Sequence, residues 1–171
     1  TKVLLSAVVI FLAVLSCNKN EIPDNENKIN QKAYLQREKA AIIEILNNET
    51  KAAFERDYGR WENYWVHDPD ITKTYIDVTT HMYSESVGWK EISSFVKKFI
   101  EEHPKPEPVP ELLKEINVRL YETGAWVTYE QLDSLRGLKK ETRLMEKING
   151  VWKIAGMQTT IYGFKKPKTG K

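Results

Sequence analysis

Glu141-Thr142-Arg143-Leu144-Met145-Glu146-Lys147-Ile148-Asn149-Gly150-Val151-Trp152-Lys153-Ile154-Ala155-Gly156-Met157-Gln158 is the stretch that decides the fold. Asn149-Gly150 supplies two residues that accept the positive φ of a tight hairpin turn, and alternating runs flank it. The strands are predicted over 138–148 and 151–162. A two-residue loop sets their register. Ile148 opposes Val151, Lys147 opposes Trp152, Met145 opposes Ile154, Arg143 opposes Gly156 and Glu141 opposes Gln158. Opposed residues share a face. One face therefore carries Trp152, Ile154, Met145, Arg143, Gln158 and Glu141. The other carries Ile148, Val151, Leu144, Ala155, Met157 and Thr142. Both faces are partly apolar, whereas a sheet wetted on one side alternates cleanly. Helices are expected over one face, and a second subunit over part of the other. A bulge near Gly156 would flip the last pairs.

Upstream, 115–122 and 125–133 flank Thr123-Gly124 as a second hairpin, with Val127, Tyr129, Leu120, Val118 and Ile116 on one face. Before it, Pro104, Pro106, Pro108 and Pro110 impose an extended connection that no helix can continue. Ile92, Phe95, Val96, Phe99 and Ile100 make the apolar stripe of a helix over 88–102, with Ser86 as its expected N-cap. Residues 71–78 read as a strand. Asp57 caps a short aromatic helix carrying Trp61, Tyr64 and Trp65, which Pro69 ends. A long helix over 33–56 buries Leu35, Ile42, Ile43, Leu46, Ala53 and Phe54. The chain is thus α+β, with helices segregated against one strongly curved antiparallel sheet.

The N-terminus is different. Lys2 precedes thirteen residues, Val3 to Leu15, that are apolar except for Ser6. A helix of that length is too short for the roughly 30 Å bilayer core and fits the h-region of a signal peptide. Ser16-Cys17 and a polar stretch follow. This resembles a bacterial lipoprotein signal, which implies a signal peptide over 1–16 and acylation of Cys17. Residues 17–32 then read as a flexible tether, since 18–31 hold almost nothing apolar to offset ordering entropy. Asn18-Lys19-Asn20 carries no acidic export signature, which favours a periplasm-facing domain in the bacterial envelope over a surface-exposed one. Residues 33–164 form the domain, and 165–171 a basic, disordered tail.

The 171 residues suit one domain, with 29% charged and 41% hydrophobic residues. The formal charge is +2, but Lys2 and the four lysines after residue 164 account for more than that. Residues 33–164 therefore carry about −3. A nucleic-acid binder would show a basic footprint on its body, so no nucleic-acid partner is expected. One cysteine excludes an intramolecular disulfide and a polythiolate zinc site. His67, His81 and His103 lack ligand spacing, so no metal is expected, and no phosphate loop or nucleophile elbow points to a cofactor.

The order of elements, together with Asp57-Tyr58, Trp61, Trp65-Val66-His67-Asp68-Pro69, Gly88-Trp89-Lys90-Glu91-Ile92, Ala125-Trp126-Val127-Thr128-Tyr129 and the closing hairpin, resembles the nuclear transport factor 2-like superfamily, most closely its SnoaL-like branch. The resemblance covers residues 33–164. It implies a conical, cystatin-like α+β barrel with a pocket between helices and concave sheet, often dimeric. Relatives include isomerases, dehydratases, cyclases and proteins that only bind. Many end the last strand with His-x-Ser; here Met157-Gln158-Thr159-Thr160 stands there, and Gln158 cannot serve as a base.

A short aromatic helix cannot bury three large rings against itself, so the concave sheet should receive them. The expected pocket takes Trp61, Tyr64, Trp65 and His67 from the region of the short helix, and Trp89 from the next helix. Tyr129, Arg143, Met145, Trp152 and Gln158 join from the sheet. His67 is the candidate catalytic base, because histidine is the residue type suited to moving a proton near neutral pH; its structural alternative is a helix cap. Arg143 must be paired if buried, either by Glu141 or by a ligand carboxylate. The expectation is a lipid-anchored envelope protein binding a small, largely apolar ligand without catalysis. Two alternatives stand beside it. One is a cofactor-independent lyase or isomerase using His67 or a pocket carboxylate as base. The other is an interaction module of an envelope complex.

Overall fold

A computed structural model describes residues 24–133 and 135–164. In chain order it contains α1 (Asp24–Phe54), α2 (Tyr58–Glu62), β1 (Thr72–Asp77), β2 (Met82–Val87) and α3 (Gly88–Glu102), then β3 (Asn117–Leu120), β4 (Gly124–Asp133), β5 (Gly137–Ile148) and β6 (Val151–Gly163). The signal peptide, Cys17 and the basic tail lie outside the described residues. The strands form one sheet in the order β2-β1-β6-β5-β4-β3, curled but not closed into a barrel. Neighbours run antiparallel except β1 and β6, which are parallel.

The stretch read as a tether is helical from Asp24 onward, so α1 starts before Ala33. Residues 27–37 of it are exposed. Extending a helix adds one hydrogen bond per residue once a packed nucleus exists, and Ile42, Leu46 and Ala52 supply that nucleus. β2 has no counterpart in the expected elements. Its sequence, Met82-Tyr83-Ser84-Glu85-Ser86-Val87, is too polar to announce a strand; it pairs on one side only, with β1. Ser86 therefore lies in a strand. Val87 precedes α3 without a side-chain cap, and Glu91 Oε2 accepts the Val87 N–H at 3.0 Å.

The Asn149-Gly150 hairpin holds its expected register from Ile148–Val151 to Met145–Ile154. A bulge then intervenes. Leu144 opposes Gly156, Arg143 opposes Met157 and Glu141 opposes Thr159. One extra residue on β6 reverses the side chains that follow it, up to a second register shift after Ile161, so Met157 and Thr159 turn inward and Gln158 turns to solvent. The β3–β4 connection between paired residues is two residues longer than expected, 121–124 instead of 123–124. Leu120 opposes Ala125 and Val118 opposes Val127. That slip is even, so the predicted faces survive.

The core gathers Ile42, Leu46, Trp61, Trp65, Ile92, Val127, Met145 and Ile154 between the helices and the inner sheet face. Two buried carboxylates on α1 tie it to its neighbours. Glu38 accepts from Lys147 Nζ at 2.6 Å and from Trp152 Nε1 at 2.8 Å. Glu49 accepts from Trp61 Nε1 at 2.7 Å and Trp65 Nε1 at 3.2 Å.

Candidate functional site

The bulge decides what the inner face can hold. It directs Arg143, Met157, Glu141 and Thr159 to the same side, where β1 adds Lys73 and Tyr75 and β2 adds Ser84 and Ser86. α1 and α3 stand over these strands, α1 with Glu49 and Ala53, α3 with Phe95, Val96 and Phe99. Between them lies a cavity of about 420 Å³. Its upper walls are apolar and its sheet side is charged.

The charged floor is an incomplete network. Glu141 Oε2 accepts the Thr159 hydroxyl at 2.8 Å and lies 3.4 Å from Arg143 Nη2, while Oε1 lies 3.4 Å from Lys139 Nζ. Arg143 Nε donates to the Tyr129 hydroxyl at 3.3 Å. Arg143 Nη1 is buried and has no hydrogen-bond partner. Burial opposes the charge on Arg143, but the Tyr129 oxygen and the carboxylates of Glu141 and Glu49 outweigh it and hold the guanidinium pKa above its ordinary value. Burial pushes the Tyr129 hydroxyl well above the usual tyrosine range, so it stays protonated. Five Lys or Arg and four Asp or Glu side chains line the cavity.

The expected pocket residues separate into three groups. Trp61 and Arg143 line the cavity. Trp65, Met145, Trp152 and Tyr129 are buried core, and Tyr129 touches the site only through Arg143. Tyr64 and Trp89 are half-buried and pack on the core. Gln158 is a correction: the bulge places it on the outer face, near Thr160. His67 is another. It is exposed, its Nε2 donates to the Glu62 carbonyl at 2.9 Å, and its ring stacks on Trp89 with centroids 3.9 Å apart. It caps the end of α2 and stands outside the cavity lining. The aromatic helix does bury its rings, because Trp89 stacks on Trp61 at 5.8 Å and Glu49 satisfies both buried indoles.

Against solved structures, the chain is similar to a cystatin-like fold protein from Burkholderia xenovorans, with a TM-score of 0.56 at 17% identity over 74% of this chain and 92% of that one. A nuclear transport factor 2-like protein of unknown function from Pseudomonas putida gives 0.57 at 13% identity, covering 77% and 98%. One with a cystatin-like fold from Novosphingobium aromaticivorans gives 0.56 at 12%, covering 82% and 92%. The fold is nuclear transport factor 2-like. No protein-family model matches the chain, and no curated protein matches it. Fold alone does not settle function.

Cavity-lining residues that the sequence left unnoticed include Glu49 and Lys73. Glu49 had a signal. Glu38, Ile42, Leu46, Glu49 and Ala53 follow one another at steps of four and three, so both glutamates fall on the buried stripe of α1. Lys73 had none, because its inward direction depends on the β1–β6 pairing. Among the described residues no cluster of three or more His, Cys, Asp or Glu is placed to hold a metal ion.

Proposed function

We propose that the cavity binds a small organic acid, with the apolar body between α1 and α3 and the carboxylate on Arg143. The observation that carries this reading is the unpartnered Nη1 of a guanidinium that is otherwise engaged and only 4% exposed. A buried polar group without a partner is costly, and a ligand carboxylate oxygen is a natural acceptor for its charge-assisted hydrogen bond. Binding of this kind needs no catalysis. The setting is that of a lipid-anchored envelope protein, acylated at Cys17 and dimeric through the outer sheet face.

The test is a series of straight-chain and branched carboxylic acids against their methyl esters, followed by calorimetry and thermal melting. Acids should bind roughly tenfold to a hundredfold more tightly than their esters, the range of one hydrogen bond to a charged group. Arg143→Lys should erase most of that preference, since a lysine lacks the guanidinium fork. Equal affinity for acid and ester would remove the reading. The lyase or isomerase alternative keeps a specific support in Glu49, a buried carboxylate on the cavity wall; His67, outside the cavity, gives it none.

A further inference from the structure

Lys73 is the cavity cation that the network does not use. Arg56 pairs with Glu107 at 2.5 Å, Arg136 donates to the Tyr75 hydroxyl, and Lys139 and Arg143 share Glu141. Among the described residues Lys73 has no carboxylate within ion-pairing distance, and its Nζ lies 5.0 Å from the centre of the Phe95 ring. Glu49 is its counterpart: a cavity carboxylate that accepts two indoles and, among the described residues, forms no ion pair. Register places Lys73 beside Met157 on β6, and Met157 beside Arg143 on β5. The two cationic side chains thus rise from one cross-strand row, on backbones about 10 Å apart, two strand spacings.

We infer that Lys73 is an imine-forming amine that captures the aldehyde or ketone of a short oxo acid whose carboxylate sits on Arg143. This rests on the acid-binding reading above. A lysine becomes a nucleophile at neutral pH when it is desolvated beside apolar groups or another cation, and Phe95 and Arg143 supply both. Burial, the largest influence, holds the Lys73 ammonium below its ordinary pKa; Glu49 opposes this and Arg143 adds to it. The neutral amine attacks the carbonyl carbon, and the C=O π pair moves to oxygen. Two protons then pass from nitrogen to oxygen: the first gives the carbinolamine, and the second releases the oxygen as water while the C=N bond closes. Amine and carbonyl become imine and water with no change of oxidation state. Glu49, the cavity-wall carboxylate whose charge acts on Lys73, is the group that carries these protons in the inferred step. The imine acidifies the adjacent C–H, which is the activation that a lyase or isomerase requires. The row spacing selects an acid whose carboxylate and carbonyl are separated by a few carbons.

The full chain is incubated with 4-oxopentanoate and cyanoborohydride, then examined by intact mass and peptide mapping. One adduct per chain is expected, with the mass of the acid less water plus two hydrogens, at Lys73. Proximity should label Lys73 about tenfold or more above any other lysine. Pentanoate, which cannot react, should suppress the adduct by competition. Lys73→Arg should abolish it while circular dichroism shows the fold retained, and the wild-type peptide map carries the test if that variant fails to fold. Labelling spread evenly over surface lysines overturns the inference. So does pentanoate binding to the wild type without any Lys73 adduct, which leaves the acid-binding reading standing. Absence of both pentanoate binding and adduct overturns the two together.

Discussion

Trp61 donates its indole N–H to Glu49 at 2.7 Å, so that the short helix α2 is fixed to the long helix α1 at the cavity wall. The same Glu49 oxygen accepts Trp65 Nε1 at 3.2 Å. One carboxylate on the buried stripe of α1 thereby satisfies two buried donors of the aromatic segment and presents its charge to the cavity.

Removing that carboxylate separates the two roles. Glu49→Leu leaves two buried indole N–H groups without an acceptor and should destabilise the fold by about 2 kcal/mol or more, since each unsatisfied donor costs about 1–3 kcal/mol. Glu49→Gln keeps a carbonyl oxygen for them and should cost clearly less. Urea unfolding of the three proteins decides the matter; equal losses for both variants would contradict the geometry.

The acid limb of the stability curve should report Glu38. Hydrogen bonding to Lys147, partly opposed by burial and helped by Trp152, holds its carboxyl below the ordinary 4.5. A carboxyl whose folded pKa is depressed binds its proton more readily unfolded, so its stabilisation is present above the unfolded value and disappears as pH falls through the folded one. Melting temperature should therefore drop as pH falls below about 4.5, and the drop should be shallower in Glu38→Gln. A variant whose melting temperature follows the wild-type pH profile would show that Glu38 contributes nothing to it.

These residues also mark the limit of what the sequence discloses. Asn149-Gly150 announces its hairpin through local turn chemistry, and the 88–102 helix through its apolar period; both form where the pattern places them. The bulge after Met145 has no local signature beyond the small Ala155-Gly156 pair, yet it exchanges Gln158 for Met157 and Thr159 at the site. Arg143 was legible as a buried charge needing a partner, and Glu141 does pair with it. Lys73 was not, because a strand paired in parallel with a distant one owes its direction to tertiary contacts. Trp65, Trp89 and Trp152 show the opposite error: large rings suggest a pocket, but each found packing partners instead.

Two glycines with similar backbone angles should behave differently. Gly137 has φ +90°, and a Cβ there would stand 2.3 Å from the backbone carbon of Gly163. Gly150 has φ +82° with open space around it. Gly150→Ala should cost about 1–2 kcal/mol, the strain of a left-handed residue. Gly137→Ala adds a clash between neighbouring strands that no side-chain rotation relieves and should cost substantially more. Comparable denaturation midpoints for the two variants would refute the distinction.

Acylation is expected at Cys17, which lies outside the described residues. Metabolic labelling with a fatty acid should mark the protein, and Cys17→Ser should accumulate as unprocessed, unlabelled precursor. Label that persists in Cys17→Ser would end the lipoprotein reading.

The homodimer is the remaining expectation, and the structure refines which substitution tests it. On the outer sheet face Trp126 and Leu144 are direct cross-strand partners, 49% and 42% exposed, and Gly156 beyond Leu144 adds no side chain. Ile148 and Val151 extend the exposed apolar surface toward the hairpin turn. The Glu146–Lys153 pair separates these two apolar groups, but apolar side chains gathered on one face mark an interface more often than scattered ones do. Ala155 and Met157, expected on this face, leave it: the bulge buries Ala155 and turns Met157 into the cavity lining. Ala155→Glu would therefore unfold the domain and say nothing of association. Leu144→Glu adds a charge where the side chain is half in water and the fold tolerates it. Sedimentation should give a dimer for the wild type and a monomer for Leu144→Glu, with melting of the monomer still cooperative. A wild-type chain that sediments as a monomer at high concentration would remove the dimer, and would leave Trp126 and Leu144 as solvent-exposed residues on the outer face.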